Sequence, residues 1–172
     1  MLGDGASALI LTKSDEPGYI ASSIVSDGQY WDSYGIYVGT KYPITKEMVE
    51  KKEHLLRFHP NFHKYPEDVN YGNWPNVIRK SLTKTEYKVE DLDMVIFTQV
   101  RLIDIQKSME ALGLPMEKTH YIMHKYGYTG SACAFMALDD AIREGKIKKG
   151  NLIAICTSGV GYVMSSAIFK WV

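Results

Sequence analysis

The sequence predicts an α/β fold, a layered sheet with helices packed on it, and three observations carry that prediction. Short apolar runs bounded by turns, Met94 to Phe97 and Asn151 to Ser158, read as buried strands. Between them Leu102, Ile105, Met109 and Leu112 recur at helical spacing, and the small-residue stretch Ser131 to Glu144 reads as a second helix ended by Gly145. Finally, Gly159-Val160-Gly161 is a tight connection into a last apolar run, Tyr162 to Trp171, so the chain closes in a hairpin. Strands that alternate with helices require a layered sheet, because each element has one apolar face to cover.

Taken in order, Ser7 to Leu11 follows Gly3-Asp4-Gly5-Ala6 at once and reads as a first strand. Nothing precedes it that could pair with it, so the beginning looks like the middle of a protein. KSDEPG (Lys13 to Gly18) is a polar turn, and Tyr19 to Ser26 is a second strand ending at Asp27-Gly28. Residues 29–72 are an aromatic-rich excursion, holding Tyr30, Trp31, Tyr34, Tyr37, Tyr42, Phe58, Phe62, Tyr65 and Tyr71. Within it one helix is expected from about Thr45, a plausible N-cap, to Phe58, with Met48, Val49, Lys52, Leu55 and Leu56 on one face. Pro75 opens a helix through Val77, Ile78 and Leu82. Gly113 and Pro115 end the next helix, and Thr119 to Met123 reads as a short strand. The predicted order is β, β, excursion, α, β, α, β, α, β, β.

Composition narrows the function classes. Lys plus Arg and Asp plus Glu number 20 each among 172 residues, so no global charge draws the chain to nucleic acid or an anionic membrane. No run approaches the roughly 20 apolar residues of a membrane span, and no basic segment precedes an apolar one at the start. Cys133 and Cys156 form neither a zinc nor a CxxC pattern, and we read them as reduced core thiols of a cytoplasmic protein. His59 and His63 lie four apart, but Pro60 interrupts a helix through them and no third ligand is evident, so no metal site is assigned.

Six motifs then stand in register: GDGASALIL (Gly3 to Leu11), FTQ (Phe97 to Gln99), LGLPMEKT (Leu112 to Thr119), GYTGSA (Gly127 to Ala132), AIREGKIKKGNLI (Ala141 to Ile153) and SGVGYVMSSAIF (Ser158 to Phe169). In this order and spacing they resemble the C-terminal half of β-ketoacyl-acyl-carrier-protein synthase III, a condensing enzyme of the thiolase superfamily. The resemblance is loose over Gly3 to Asp27, close over Leu92 to Phe169, and does not extend to residues 29–72. It implies a thiolase-like layered fold, one C-terminal βαβαββ-type half with a mixed sheet flanked by helices. Residues 1–12 would be the last strand of the preceding half and 13–172 the C-terminal domain.

The resemblance also implies chemistry on acyl thioesters, from CoA or acyl carrier protein, without a further cofactor. The nucleophilic cysteine of such enzymes sits in the N-terminal half, outside this chain, and the proteins are homodimers of fatty-acid synthesis. A histidine and an asparagine donate hydrogen bonds to the enolate formed on decarboxylation. By register the histidine falls on Thr98 and the asparagine on Tyr128, so neither expected donor is present. The glycine-rich loop that offers a backbone donor to the thioester oxyanion falls on Gly159, Val160 and Gly161, and a Val160 N–H needs no particular side chain. Gln99, Arg101 and Gly127 fall beside the substrate in the same register.

Thr98 can donate a hydrogen bond but is no base near neutral pH, and Tyr128 is a phenol larger than asparagine. Three outcomes stay open: acyl transfer without decarboxylation, condensation assisted by other groups, and a non-catalytic partner or scaffold subunit. His124 is the nearest histidine that could stand in, with a plain turn histidine as the alternative. Arg101 either meets a phosphate at the pocket mouth or pairs with Asp104. The excursion either lines an acyl pocket or covers a subunit contact. An acyltransferase whose nucleophile lies in a preceding half is the leading reading, and the chain alone should lack turnover.

Overall fold

The strand expected at Met94 to Phe97 is present and buried along its whole length. The computed structural model describes residues 2–39, 43–58 and 64–172. In it β1 (Tyr19–Tyr30) is followed by the two-residue strands β2 (Tyr34–Gly35) and β3 (Arg57–Phe58), with α1 (Lys46–Glu50) between them. Then come α2 (Trp74–Leu82), β4 (Met94–Phe97), α3 (Leu102–Leu112), α4 (Met123–Tyr126), α5 (Cys133–Arg143), β5 (Leu152–Gly159) and β6 (Gly161–Lys170). All four side chains of β4 are buried, as a strand covered on both faces must be. It pairs in parallel with β5, Met94 beside Ile153 and Phe97 beside Cys156, in a four-stranded sheet of order β1-β6-β5-β4.

The chain divides into two compact units: residues 1–25, 67–158 and 164–172 form one, and residues 26–66 with 159–163 the other. In the first, Met94, Ile96, Ile122, Ile153 and Ile155 pack with Ala134, Ala137 and Ala141, whose small side chains let α5 lie close to the sheet. Each large aliphatic side chain so buried contributes roughly 1.5–3 kcal/mol, and Ile96→Ala would cost about 2–5 kcal/mol. On α3, Ile105, Met109 and Leu112 are buried at the predicted spacing. Trp74 stacks on Phe97 with ring centres 5.0 Å apart, fixing α2 against β4.

Three expected elements differ. Ser7 to Leu11 forms no strand: residues 3–14 carry no ladder, and Leu9, Ile10 and Leu11 are exposed. An apolar run supplies propensity, but a strand exists only by pairing. Thr119 to Met123 is not a strand either. Thr119 makes a single bridge to Val95, and the N–H of Ile122 is taken by the Gln99 side chain at 2.9 Å instead of by a neighbouring strand.

The third difference is the helix from Thr45 to Phe58, which ends at Glu50. Thr45 caps it as expected, its Oγ1 accepting from the Met48 N–H. At the other end Lys52 turns left-handed, with φ 57°, and the N–H groups of Lys52 and Glu53 close back on the carbonyls of Val49 and Met48. That is the helix stop in which a left-handed residue satisfies the final carbonyls. Leu55 and Leu56 are left exposed. Elsewhere in this second unit β2 and β3 pair antiparallel, and Tyr34 packs on Phe58.

Candidate functional site

Where β4 ends, the backbone N–H of Thr98 bonds to the Cys156 carbonyl of β5, so the sheet carries the residue to its rim. Thr98 is only 3% exposed. Its Oγ1 accepts the N–H of Ser158 at 2.9 Å, which turns the hydroxyl proton elsewhere. Ser158 is itself held on two sides: its Oγ accepts from Trp74 Nε1 at 2.6 Å and donates to Asn70 Oδ1 at 3.0 Å. Asn70 Nδ2 then donates to Asp104 Oδ2 at 2.9 Å. The acceptor-only carboxylate thus orients the amide, and the amide orients the serine.

Asp104 is fully buried at the start of α3, and Arg101 closes on it with two hydrogen bonds, Nε to Oδ2 at 3.0 Å and Nη2 to Oδ1 at 2.6 Å. The second Nη2 proton goes to the Glu67 carbonyl. The hydrogen bonding to the Asp104 carboxylate, which the guanidinium donates, holds Arg101 above its ordinary range. Of the two readings left open for Arg101, the pairing with Asp104 is the one seen.

Gln99, expected beside substrate, is fully buried. Its amide donates to the carbonyls of Phe97 and His120 and accepts from Ile122 N–H, while its own N–H bonds Cys133 Sγ at 3.3 Å. Its work is to tie the end of β4 to residues 120–122. Burial pushes the Cys133 and Cys156 thiols up, so both are poor nucleophiles here.

Gly127 lies at the end of α4 with φ 71°, its N–H on the Met123 carbonyl. Tyr128, half-buried, bridges to Leu2, and its carbonyl accepts from Gly3 N–H at 3.0 Å. Thr129, Ser131 and Ala132 form with Gly5, Ala6 and Ser7 a shallow cavity of about 440 Å³ at the entry to α5. A Cβ on Gly5 would lie 2.6 Å from Met136 Sδ and 2.8 Å from Thr129 Cβ, so this approach requires glycine. His124 is exposed on α4, its ring edge-on to Tyr121.

A buried histidine that sequence reasoning passed over is His120. Its Nδ1 lies 2.9 Å from Lys146 Nζ, an ammonium that can only donate, so Nε2–H donates to Asp140 at 2.8 Å. Lys125 bridges Asp140 and Glu144 at 2.6 and 3.0 Å, and Lys146 returns to Glu144. The Asp140 carboxyl is held below its usual range first by Lys125 and then by His120, and Glu144 by Lys146 and Lys125. His120, Asp140 and Glu144 have donor atoms within 4.8 Å of one another, as a metal site would, but Lys125 already supplies the cation. His59 and His63 lie outside the described residues.

The second unit holds the glycine turn. Val160 is half exposed, and Gly161 has φ 137°, a conformation open to glycine. The Gly161 N–H bonds Tyr65 Oη at 3.0 Å. Sequence reasoning proposes Thr98 and the turn by register, and it does not anticipate the contacts of Asn70, Trp74 and Ser158. Their contacts join positions 84 and 88 residues apart, and no local spacing signals them.

Comparison with known proteins gives the family of the chain. Residues 82–171 match the family described as 3-oxoacyl-[acyl-carrier-protein (ACP)] synthase III C terminal. The β-ketoacyl-[acyl-carrier-protein] synthase III of Alkalilimnicola ehrlichii is 30% identical over 171 residues, which cover 99% of this chain and 51% of the relative. That of Fusobacterium nucleatum is 32% identical over 178 residues, covering 99% and 52%. The crystal structure of 3-oxoacyl-[acyl-carrier-protein] synthase III from Aquifex aeolicus superposes with a TM-score of 0.72 at 25% identity, over 93% of this chain and 47% of that one. The Pseudomonas aeruginosa structure gives 0.74 at 18% identity, covering 94% and 47%, a likeness of fold. The chain spans about half the length of the curated relatives it matches. Among the described residues no helix is long and apolar enough to cross a membrane.

Proposed function

Since the chain belongs to the 3-oxoacyl-[acyl-carrier-protein] synthase III C-terminal family, we propose that it is the C-terminal half of an acyltransferase acting on acyl thioesters of CoA or acyl carrier protein. The nucleophilic cysteine belongs to a preceding half, and that half and a second copy of the protein are the proposed partners. The cysteine thiolate attacks the thioester carbonyl, the acyl group passes to its sulfur, and the carrier thiol leaves with a proton. Val160 N–H stabilises the oxyanion of that step, as a preorganised backbone donor does.

The observation that carries the reading of the second step is Thr98. It stands where the family has a histidine, and because Ser158 N–H occupies its oxygen, its hydroxyl serves as a donor to substrate and not as a base. With Tyr128 in the asparagine position, stabilisation of a decarboxylation enolate is weak. One lost donor costs about 10²-fold or more. Transfer of the acyl group to an acceptor that needs no decarboxylation therefore dominates.

Incubating this chain joined to its nucleophile-bearing half with acyl-CoA tests both steps. Mass spectrometry should find an acyl-cysteine adduct, while malonyl thioesters release carbon dioxide slowly. Rapid release would overturn the argument from Thr98 and Tyr128. No adduct at all would favour a non-catalytic partner subunit, the reading that loss of both donors also supports.

A further inference from the structure

Resting on that acyltransferase reading, we propose that Tyr65, in the aromatic excursion, is the positioning residue for the Val160 oxyanion donor. The turn at Val160 joins the end of β5 to the start of β6, and residues 159–163 around it pack as one compact unit with residues 26–66. The excursion therefore carries the turn, a role distinct from lining an acyl pocket or covering a subunit contact.

The attachment is specific. Tyr65 Oη accepts the Gly161 N–H at 3.0 Å, one residue beyond Val160. The Tyr65 ring is itself fixed: it lies tilted on Tyr30 with centres 5.0 Å apart and on Tyr162 at 6.5 Å, and Tyr30 stacks on Tyr162 at 5.7 Å and 24°. Burial, with Asp27 and Tyr30 nearby, pushes the Tyr162 phenol up, so it stays neutral within the cluster.

Two consequences follow for the turn. A glycine flanked by Val160 and Tyr162 has wide conformational freedom, and the Tyr65 bond restricts it where a positive φ is held. The bond also engages the N–H next to that of Val160, a residue that is itself half exposed. An oxyanion donor works only if it is held in place before charge develops, and a displacement of about 1 Å can cost up to 10²-fold. Tyr65 acts on the reaction through Val160 and touches no reacting atom.

The test is Tyr65→Phe in the chain joined to its nucleophile-bearing half, which keeps the ring stack and deletes the acceptor. Acyl-cysteine formation from acyl-CoA should slow about 10-fold at saturation, with KM changed less than about 2-fold and the urea midpoint near that of the parent. The Gly161 amide should exchange with solvent faster in the variant, a readout that needs no activity. An unchanged acylation rate alongside normal adduct formation in the parent would overturn the positioning role alone. Unchanged Gly161 exchange would overturn the attachment itself. Failure of the parent to acylate would remove the acyltransferase reading and the role assigned to Tyr65 with it.

Discussion

Removing Arg101 should reveal how much a buried carboxylate depends on one arginine. Asp104 is fully buried and, among the described residues, receives three donors, two from Arg101 at 2.6 and 3.0 Å and one from Asn70 at 2.9 Å. Arg101→Ala leaves that carboxylate with a single neutral donor. Breaking a fully buried pair costs about 3–5 kcal/mol, and breaking a surface pair about 0–1 kcal/mol. The Arg101 side chain is 43% exposed, so water can enter on its outer side and replace part of what is lost. An intermediate cost of about 2 kcal/mol follows. With a denaturant slope of about 2 kcal/mol/M, the urea midpoint should fall by about 1 M in far-UV circular dichroism.

The internal reference is Arg143→Ala. Arg143 pairs with Asp139 at 2.7 Å, but their side chains are 76% and 60% exposed, so its midpoint should hardly move. Adding Asp104→Asn to Arg101→Ala should recover part of the loss, since a neutral amide is cheaper to bury than an unpaired charge. If Arg101→Ala costs no more than Arg143→Ala, or if Asp104→Asn restores nothing, then burial of Asp104 does not set the energetics.

Two further outcomes are expected. Asp140 and Glu144 are both held below their usual range, so each favours the folded state while ionised, fully above the unfolded value of about 4, and that contribution is lost as pH falls through the lower folded values. Urea midpoints should therefore drop below about pH 5, and Asp140→Asn should flatten the slope; equal slopes in both proteins would contradict the assignment. Burial that raises the Cys133 and Cys156 thiols should leave both unmodified by iodoacetamide at pH 8 in the folded chain and labelled in urea. Rapid labelling without denaturant would show that the sites open.

Much of the fold was legible because its signals are local. Among the described residues the same helix stop appears three times: Gly113 and Gly145 show φ 72° and 70°, and Lys52 shows 57°. Glycine announces the first two from sequence, since it alone adopts that conformation freely. A lysine announces nothing, and the helix expected from Thr45 to Phe58 accordingly exceeds the observed one, Lys46–Glu50. The strand expected at Thr119 to Met123 failed for a non-local reason, the Gln99 side chain taking the Ile122 N–H from a residue 23 positions away.

The sequence by itself determined the alternation of β4, α3, α5, β5 and β6, and it is the source of the proposed register that sets Thr98 and Tyr128 at the family's donor positions. Periodicity and turn residues act within a few positions, so they survive in one dimension. Only the tertiary structure decided what surrounds those residues: Ser158 on Thr98, Asn70 between Ser158 and Asp104, His120 between Asp140 and Lys146, and Tyr65 on Gly161. Each is a polar group that burial would make costly if left unpaired. Its partner is chosen by proximity in the folded chain, a distance that no spacing in the sequence records.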